Sequence, residues 1–270
     1  MPELPEVETT RRGLQEHLVG RVLRRVVVRQ PQLRYPVPEG LEVAVAGCRV
    51  VALERRAKYL LIRLEGGPWL LLHLGMSGSL RRVVAGEPAG RHDHVDLCLD
   101  DGHALRLTDP RRFGCLLLGE GDPQAHRLLR HLGPEPLGAG FDGGYLHRVA
   151  RGRRVAVKAF LMDAAVVVGV GNIYANEALF RAGIRPDRAA GRIARARYER
   201  LAGAGREVLE AALAVGGTTL RDFTDGAGQP GYFAVDLSVY GGSSCPSCAG
   251  ALRQLRVAQR GTWFCPRCQR

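Results

Sequence analysis

The pattern of apolar and polar positions divides the chain into two regimes. Val7, Leu14 and Leu18 share one helical face near the start, Pro5 suits a first helical turn, and Gly20 is placed to stop the helix. From Arg21 to about Leu118 the period shortens to two. The runs RVLRRVVV (21–28), VAVAGCRVVAL (43–53), YLLIRL (59–64), WLLLHLGMSG (69–78), HVDLCL (94–99) and ALRLTD (104–109) read as strands. Gly66-Gly67 and Asp101-Gly102 punctuate them, which predicts a β-sandwich or barrel. Residues 133–152 are rich in Gly and Pro and read as a hinge. Helical patterns return at about 155–167, 172–183 and 193–215. Residues 216–236 hold five glycines and no helical period, as a loop would.

The last 26 residues change the picture. Cys245 and Cys248, then Cys265 and Cys268 after sixteen intervening residues, form a C-x₂-C-x₁₆-C-x₂-C pattern. Four thiolates so spaced can close a tetrahedron around one structural Zn²⁺. Arg253, Arg256 and Arg260 lie between the pairs with no acidic residue, which suits an anionic partner. Cys48, Cys98 and Cys115 stand singly in apolar stretches and read as small buried hydrophobes.

Charge points the same way. The 270 residues carry 39 Lys+Arg against 27 Asp+Glu, a net +12, so a polyanion is the default partner. Charge alone leaves ribosomal, membrane-surface and DNA-repair classes open. Three glutamates among the first eight residues exclude a signal peptide, and no uncharged apolar run reaches membrane-spanning length. Unpaired cysteines favour a reducing cytosol. Lys58 and Lys158 are the only lysines; every other basic residue is arginine. A lysine kept in so arginine-rich a chain suits a task for a compact, proton-exchanging donor.

At the start, MPELPEVE places Pro2 one position after the initiator methionine. Once that methionine is removed, Pro2 is a secondary amine titrating near about 8, nucleophilic at cellular pH. Glu3 and Glu6 lie close enough in sequence for proton transfer. On these eight residues alone, a proline heading a helix with acids on its dipole is the simpler reading.

MPELPEVE, RRAKYL (55–60), HLGMSGSL (73–80), HDHV (92–95), TDPRRFG (108–114), LGPEPL (132–137), VGVGNIYANEALF (168–180), GGTTLRDF (216–223), GYFA with VYG, and the four-cysteine finger together resemble the bacterial formamidopyrimidine-DNA glycosylase family. The resemblance runs from end to end. The start and the GGTTLRDF loop are more similar to this branch than to the related endonuclease VIII branch. Two positions depart from the pattern: Ala249 follows Cys248 where a Gly is usual, and Gly241-Gly242 replaces Gly-Arg.

The resemblance implies an α+β multidomain fold. It comprises an N-terminal catalytic domain over 1–132 (helix plus β-sandwich), the hinge, a helix–two-turn–helix DNA-binding domain with a lesion-recognition loop over 153–235, and a zinc-finger hairpin over 236–270. It implies a monomeric, cytoplasmic glycosylase and AP lyase that flips an oxidised purine out of damaged double-stranded DNA. Pro2 would form a Schiff base at C1′, Glu3 would act as acid, Lys58 would serve β-elimination and Arg260 the final δ-elimination. Met76, Arg111 and Phe113 would fill the vacated stack. His92, Arg153, Lys158 and Asn172 would contact DNA, and Thr218 and Thr219 would cover the flipped base. Two readings stay open here: an oxidised-pyrimidine glycosylase of the endonuclease VIII type, and a non-catalytic zinc-finger DNA-binding protein.

Overall fold

The computed structural model describes residues 2–216 and 237–270, so Thr218, Thr219 and almost all of the 216–236 loop lie outside the described residues. The described chain forms two compact units: the residues up to Arg130, and His131–Val215 together with the C-terminal segment.

The first unit opens on α1 (Leu4–Leu18). Glu3 caps it: its side chain accepts from the Glu6 backbone, and the Glu6 carboxylate accepts from Glu3 N at 2.8 Å. This reciprocal box satisfies donors that a helix start leaves orphaned. There follow β1 (Leu23–Val28), α2 (Leu41–Val45), β2 (Val50–Arg56), β3 (Tyr59–Leu64), β4 (Trp69–His73), β5 (Ser79–Val84), β6 (Asp93–Leu99), β7 (His103–Thr108) and β8 (Cys115–Gly119). They form two four-stranded antiparallel sheets, ordered β1-β6-β7-β5 and β2-β3-β4-β8. The inner faces of both sheets and one face of α1 share a core that includes Val7, Leu14, Leu18, Ile62, Leu72, Leu97 and Leu105. The expected sandwich is present.

One strand assignment is corrected. Residues 43–45 belong to helix α2, because burial there runs Leu41 and Val45 inward while Val43 is 85% exposed. Alternation of valine and alanine mimics a strand, but only the one-turn spacing of Leu41 and Val45 meets the core.

The second unit holds α3 (Gly143–Ala150), α4 (Val157–Met162), α5 (Asn172–Arg181), α6 (Arg195–Ala214) and the hairpin β9 (Arg253–Val257) with β10 (Arg260–Phe264). Within 133–152, the stretch read as a hinge, α3 occupies the second half. Asp142 caps that helix by accepting from Tyr145 N at 2.6 Å, and Leu146 and Ala150 enter the core of α4, α5 and α6. Gly143 allows close packing, because a Cβ there would lie 2.3 Å from the Glu199 backbone on α6. The helix expected at 155–167 shortens to six residues.

Gly203 sits inside α6, exposed, with nothing within 4 Å of a Cβ built there. Gly203→Ala is expected to stabilise the second unit by about 1 kcal/mol, since helical Gly is disfavoured by that much. A chemical-denaturation midpoint that does not rise would contradict this.

Candidate nucleic-acid interface and metal site

In the first unit Pro2 is buried, and Glu3 and Glu6 are each 3% exposed. Both acids, close to Pro2 in the chain, are held in place by the capping box. Further along α1, Glu8 lies among Arg11, Arg12 and Arg55, with distances of 2.9 to 3.1 Å. Burial alone would raise its pKa; the hydrogen bonds from Arg11, Arg12 and Arg55 overcome this and hold it at about 2. Arg55 also donates to the Ala57 carbonyl at 3.0 Å. One guanidinium thus ties α1 to the two-residue loop, Ala57-Lys58, that joins β2 to β3. Ala57 adopts φ +56° in that loop, an uncommon conformation for a side-chain-bearing residue and one that fixes where Lys58 emerges. Lys58 is half-buried.

His73, at the end of β4, was not singled out by the sequence. Its Nδ1 accepts from Gly75 N at 2.9 Å, which leaves Nε2 as the protonated donor. Burial, then the charges of Lys58 and Arg34, push its pKa down to about 4, so the ring is neutral near pH 7. The glycines of the motif carried the signal. Gly75 has φ +69°, and a Cβ on it would lie 2.5 Å from Gly114 N and 2.7 Å from the Phe113 carbonyl carbon. Only glycine lets the Met76 turn touch the 109–114 turn.

That second turn is built on Asp109, which is 0% exposed. Its carboxylate accepts from Gly114 N at 2.7 Å and Arg111 N at 3.2 Å, while its carbonyl accepts from His94 Nε2 at 2.7 Å. Asp109 N in turn donates to the His92 carbonyl at 2.9 Å. The Arg111 guanidinium lies over the Phe113 ring, 4.9 Å from its centroid, and Phe113 is 45% exposed. Met76, His92, Arg111 and Phe113 therefore come together at one end of the sandwich. An exposed aromatic stacked under a cation, beside a half-buried methionine, has the chemistry to replace a base in a duplex stack.

The second unit yields a correction. Lys158, expected at the DNA face, is 0% exposed. Its Nζ donates to Asn172 Oδ1 at 2.6 Å, the Gly261 carbonyl at 2.9 Å and Thr262 Oγ1 at 2.7 Å. A buried ammonium is tolerable only when hydrogen-bonded in this way. The ammonium links α4 to the first residue of α5 and to β10. Asn172 is half-buried and shares that task. Two neighbours on α5 complete the clamp. Asn176 accepts from Trp263 N at 2.9 Å, and the Glu177 carboxylate takes Ser238 N, Val239 N and Tyr240 N at 2.8 to 3.0 Å. Polar residues inside the otherwise apolar NIYANEALF run were the available sign. Arg153, by contrast, is exposed, as is Arg260 at the first position of β10.

Cys245, Cys248, Cys265 and Cys268 place their sulfurs within 4.8 Å of one another, with Cys245–Cys268 at 3.8 Å and Cys248–Cys265 at 3.6 Å. Tetrahedral Zn²⁺ with Zn–S bonds of about 2.3 Å needs sulfurs about 3.8 Å apart. The set fits one zinc ion, bound for structure. Ala249 takes φ +53°, so the departure from the usual Gly leaves a strained residue, worth roughly 1 kcal/mol, inside the metal turn.

Three family models cover the chain: the formamidopyrimidine-DNA glycosylase N-terminal domain over residues 1–116, the formamidopyrimidine-DNA glycosylase H2TH domain over 132–224, and the zinc finger found in FPG and IleRS over 242–270. A formamidopyrimidine-DNA glycosylase of Halorhodospira halophila is 83% identical over 270 residues, covering all of both chains. The chain belongs to the formamidopyrimidine-DNA glycosylase family. Among solved structures, the MutM (Fpg) protein of Thermus thermophilus superimposes with a TM-score of 0.88 at 41% identity, covering 99% of this chain and 98% of that one. The Lactococcus lactis Fpg bound to abasic-site DNA gives 0.90 at 32% identity, covering 99% of each. Among the described residues no helix is long and apolar enough to cross a membrane.

Proposed function

We propose that this member of the formamidopyrimidine-DNA glycosylase family works in the cytosol, excising oxidised purines from duplex DNA and then cleaving the strand, with Pro2 as its nucleophile. The full-length 83% identity to a relative named for that activity carries the substrate class. Once Met1 is removed, the Pro2 amine attacks C1′ and displaces the damaged base. Glu3, buried beside it, gives the proton that assists opening of the sugar. The resulting iminium acidifies the C2′ proton, so β-elimination breaks the 3′ phosphodiester and δ-elimination the 5′ one. Lys58, fixed by its hairpin, serves the first elimination, and Arg260 the second. Met76, Arg111 and Phe113 fill the space left by the flipped nucleotide, a step that offsets a few kcal/mol of lost stacking. Arg111 presents donors to the acceptors of a widowed cytosine, and His92 and Arg153 hold backbone phosphates. Lys158 and Asn172 act through the finger they anchor.

A side-by-side excision assay tests the substrate. Duplexes with 8-oxoguanine opposite cytosine are expected to be cleaved faster than duplexes with thymine glycol. The reverse order would assign the chain to oxidised-pyrimidine repair, and cleavage of neither would leave a DNA-binding protein without catalysis.

A further inference from the structure

In the first unit β5 and β6 both pair with β7, one on each side. Val84, the end of β5, lies opposite His103 at the start of β7, whereas Asp93, the start of β6, lies opposite Thr108 at its end. Residues 85–92 must therefore cross the face of β7 to join the two strands. Ala85 through Arg91 are all exposed, so the crossing segment buries no side chain that could hold it down. Its backbone bonds secure only its ends and one turn: Ala85 N donates to the Gly102 carbonyl at 2.9 Å, Glu87 N to the Val84 carbonyl at 3.1 Å and Asp93 N to the Gly90 carbonyl at 3.1 Å. His92 is its last residue.

Beneath the crossing lies Arg106, in β7 and 0% exposed. Its Nε and Nη2 donate to the two Asp96 oxygens, each at 2.9 Å. Nη2 also donates to the Glu87 carbonyl at 2.8 Å, and Nη1 to the Pro88 carbonyl at 3.1 Å. Asp93, buried and next to His92 in the chain, completes the clamp: its carboxylate accepts from Gly90 N at 2.8 Å and from Thr108 Oγ1, and lies 3.6 Å from Arg106 Nη1. Arg29 pairs with Asp96 at 2.7 Å, and Arg81 lies 3.7 Å from Asp93 and 3.9 Å from Glu87. Three guanidinia thus meet three carboxylates, a locally balanced cluster. A buried ion pair is by itself weak evidence for stability, because apolar residues of similar volume often serve as well. An apolar residue at 106 would cover the sheet, but it could not donate to the carbonyls of a loop that has no apolar anchor. A guanidinium, with five donors in one plane, satisfies a carboxylate and two carbonyls together.

We propose that Arg106, together with Asp93 and Asp96, is a positioning residue for DNA binding: by clamping the 85–92 crossing onto β7 it fixes His92 where it meets its phosphate. The inference rests on the reading of His92 as a phosphate contact. Arg106 itself, fully buried, acts only through the loop it holds.

The test uses two full-length, zinc-loaded variants. Arg106→Met/Asp96→Leu removes the pair and leaves neither partner behind as a lone buried charge; Arg106→Lys keeps the charge beside Asp96 but replaces the fork with one nitrogen. Melting temperature reports folding, and should the first variant fail to fold, the second decides. Hydrogen exchange of the free enzyme is expected to quicken about tenfold or more across 85–92, a segment freed of its main anchor, and to stay at the parental level in β3 and β4. Affinity for a duplex carrying a tetrahydrofuran abasic analogue should fall about 3- to 10-fold, the scale of one hydrogen bond, and by as much as in His92→Ala. Adding His92→Ala to either clamp variant should then cost nothing more, whereas a merely structural role predicts that the two losses add. Parental exchange across 85–92, or additive losses, overturns the proposal. Loss of affinity in His92→Ala with none in the clamp variants removes the positioning role and leaves the phosphate contact standing. Full affinity in His92→Ala removes the phosphate contact, and the positioning role with it.

Discussion

An enzyme carrying an uncleavable extension before Pro2 is expected to bind duplex DNA and yet form no borohydride-trapped adduct. An N-terminal proline is a secondary amine titrating near about 8, with an available lone pair. Acylation turns that nitrogen into a planar amide whose lone pair is delocalised into the C–N bond, and no iminium can form. Single-turnover excision of 8-oxoguanine should fall by roughly 10³-fold or more, the scale set by removing a covalent nucleophile. In the unblocked enzyme, borohydride added during reaction should freeze a protein–DNA adduct that mass spectrometry places on Pro2. Because Pro2 is buried, an extension also crowds its surroundings, so Glu3→Gln is the companion variant. The amide preserves shape and DNA binding but has no proton to give, and base excision should be lost. An adduct mapped to Lys58, or undiminished excision by the extended enzyme, would remove Pro2 from the chemistry.

Loss of zinc should be the largest structural effect. The terminal module has little apolar core of its own: Cys245 and Cys265 are themselves core members, packed with Phe180 and Val239 and flanked by Leu252 and Trp263. Metal binding to such modules amounts to about 10–16 kcal/mol of apparent folding free energy. Cys265→Ser is therefore expected to abolish zinc content and release the β9–β10 hairpin with Arg260. Lesion-DNA binding should weaken strongly, while Arg260→Ala keeps the metal and lowers the salt slope by about 1. The first unit, whose core contains no metal ligand, should melt as before. Unchanged binding and cleavage by metal-free Cys265→Ser enzyme would refute this account.

The capped helix start in residues 2–8 and the metal site in the cysteine spacing were legible because each signal is local. A helix start needs only its capping acids and proline within one turn. A zinc site needs two short turns whose four sulfurs can meet. The glycines of HLGMSGSL and TDPRRFG also announced turns, although that Gly75 presses on Gly114 is a fact of tertiary packing. Helices α2 and α3 were hidden for the same physical reason that made these clear. Residues 43–45 alternate like a strand, and 133–152 has the composition of a hinge. The burial of Leu41 with Val45, and of Leu146 with Ala150, depends on surfaces supplied by distant segments.

By itself, then, the sequence determined the capped helix start with its proline and acids, the four metal ligands, the strand-rich half and the cationic balance. Those depend on covalent order, residue chemistry and short-range periodicity. Only the tertiary structure decided what Lys158 does. Rarity marked it as important, but its partners Gly261 and Thr262 lie 103 and 104 positions away in the chain. A charged side chain is read from its surroundings, and folding brings those together from anywhere in the sequence. The same holds for Glu177, whose carboxylate meets three backbone N–H groups more than sixty residues on.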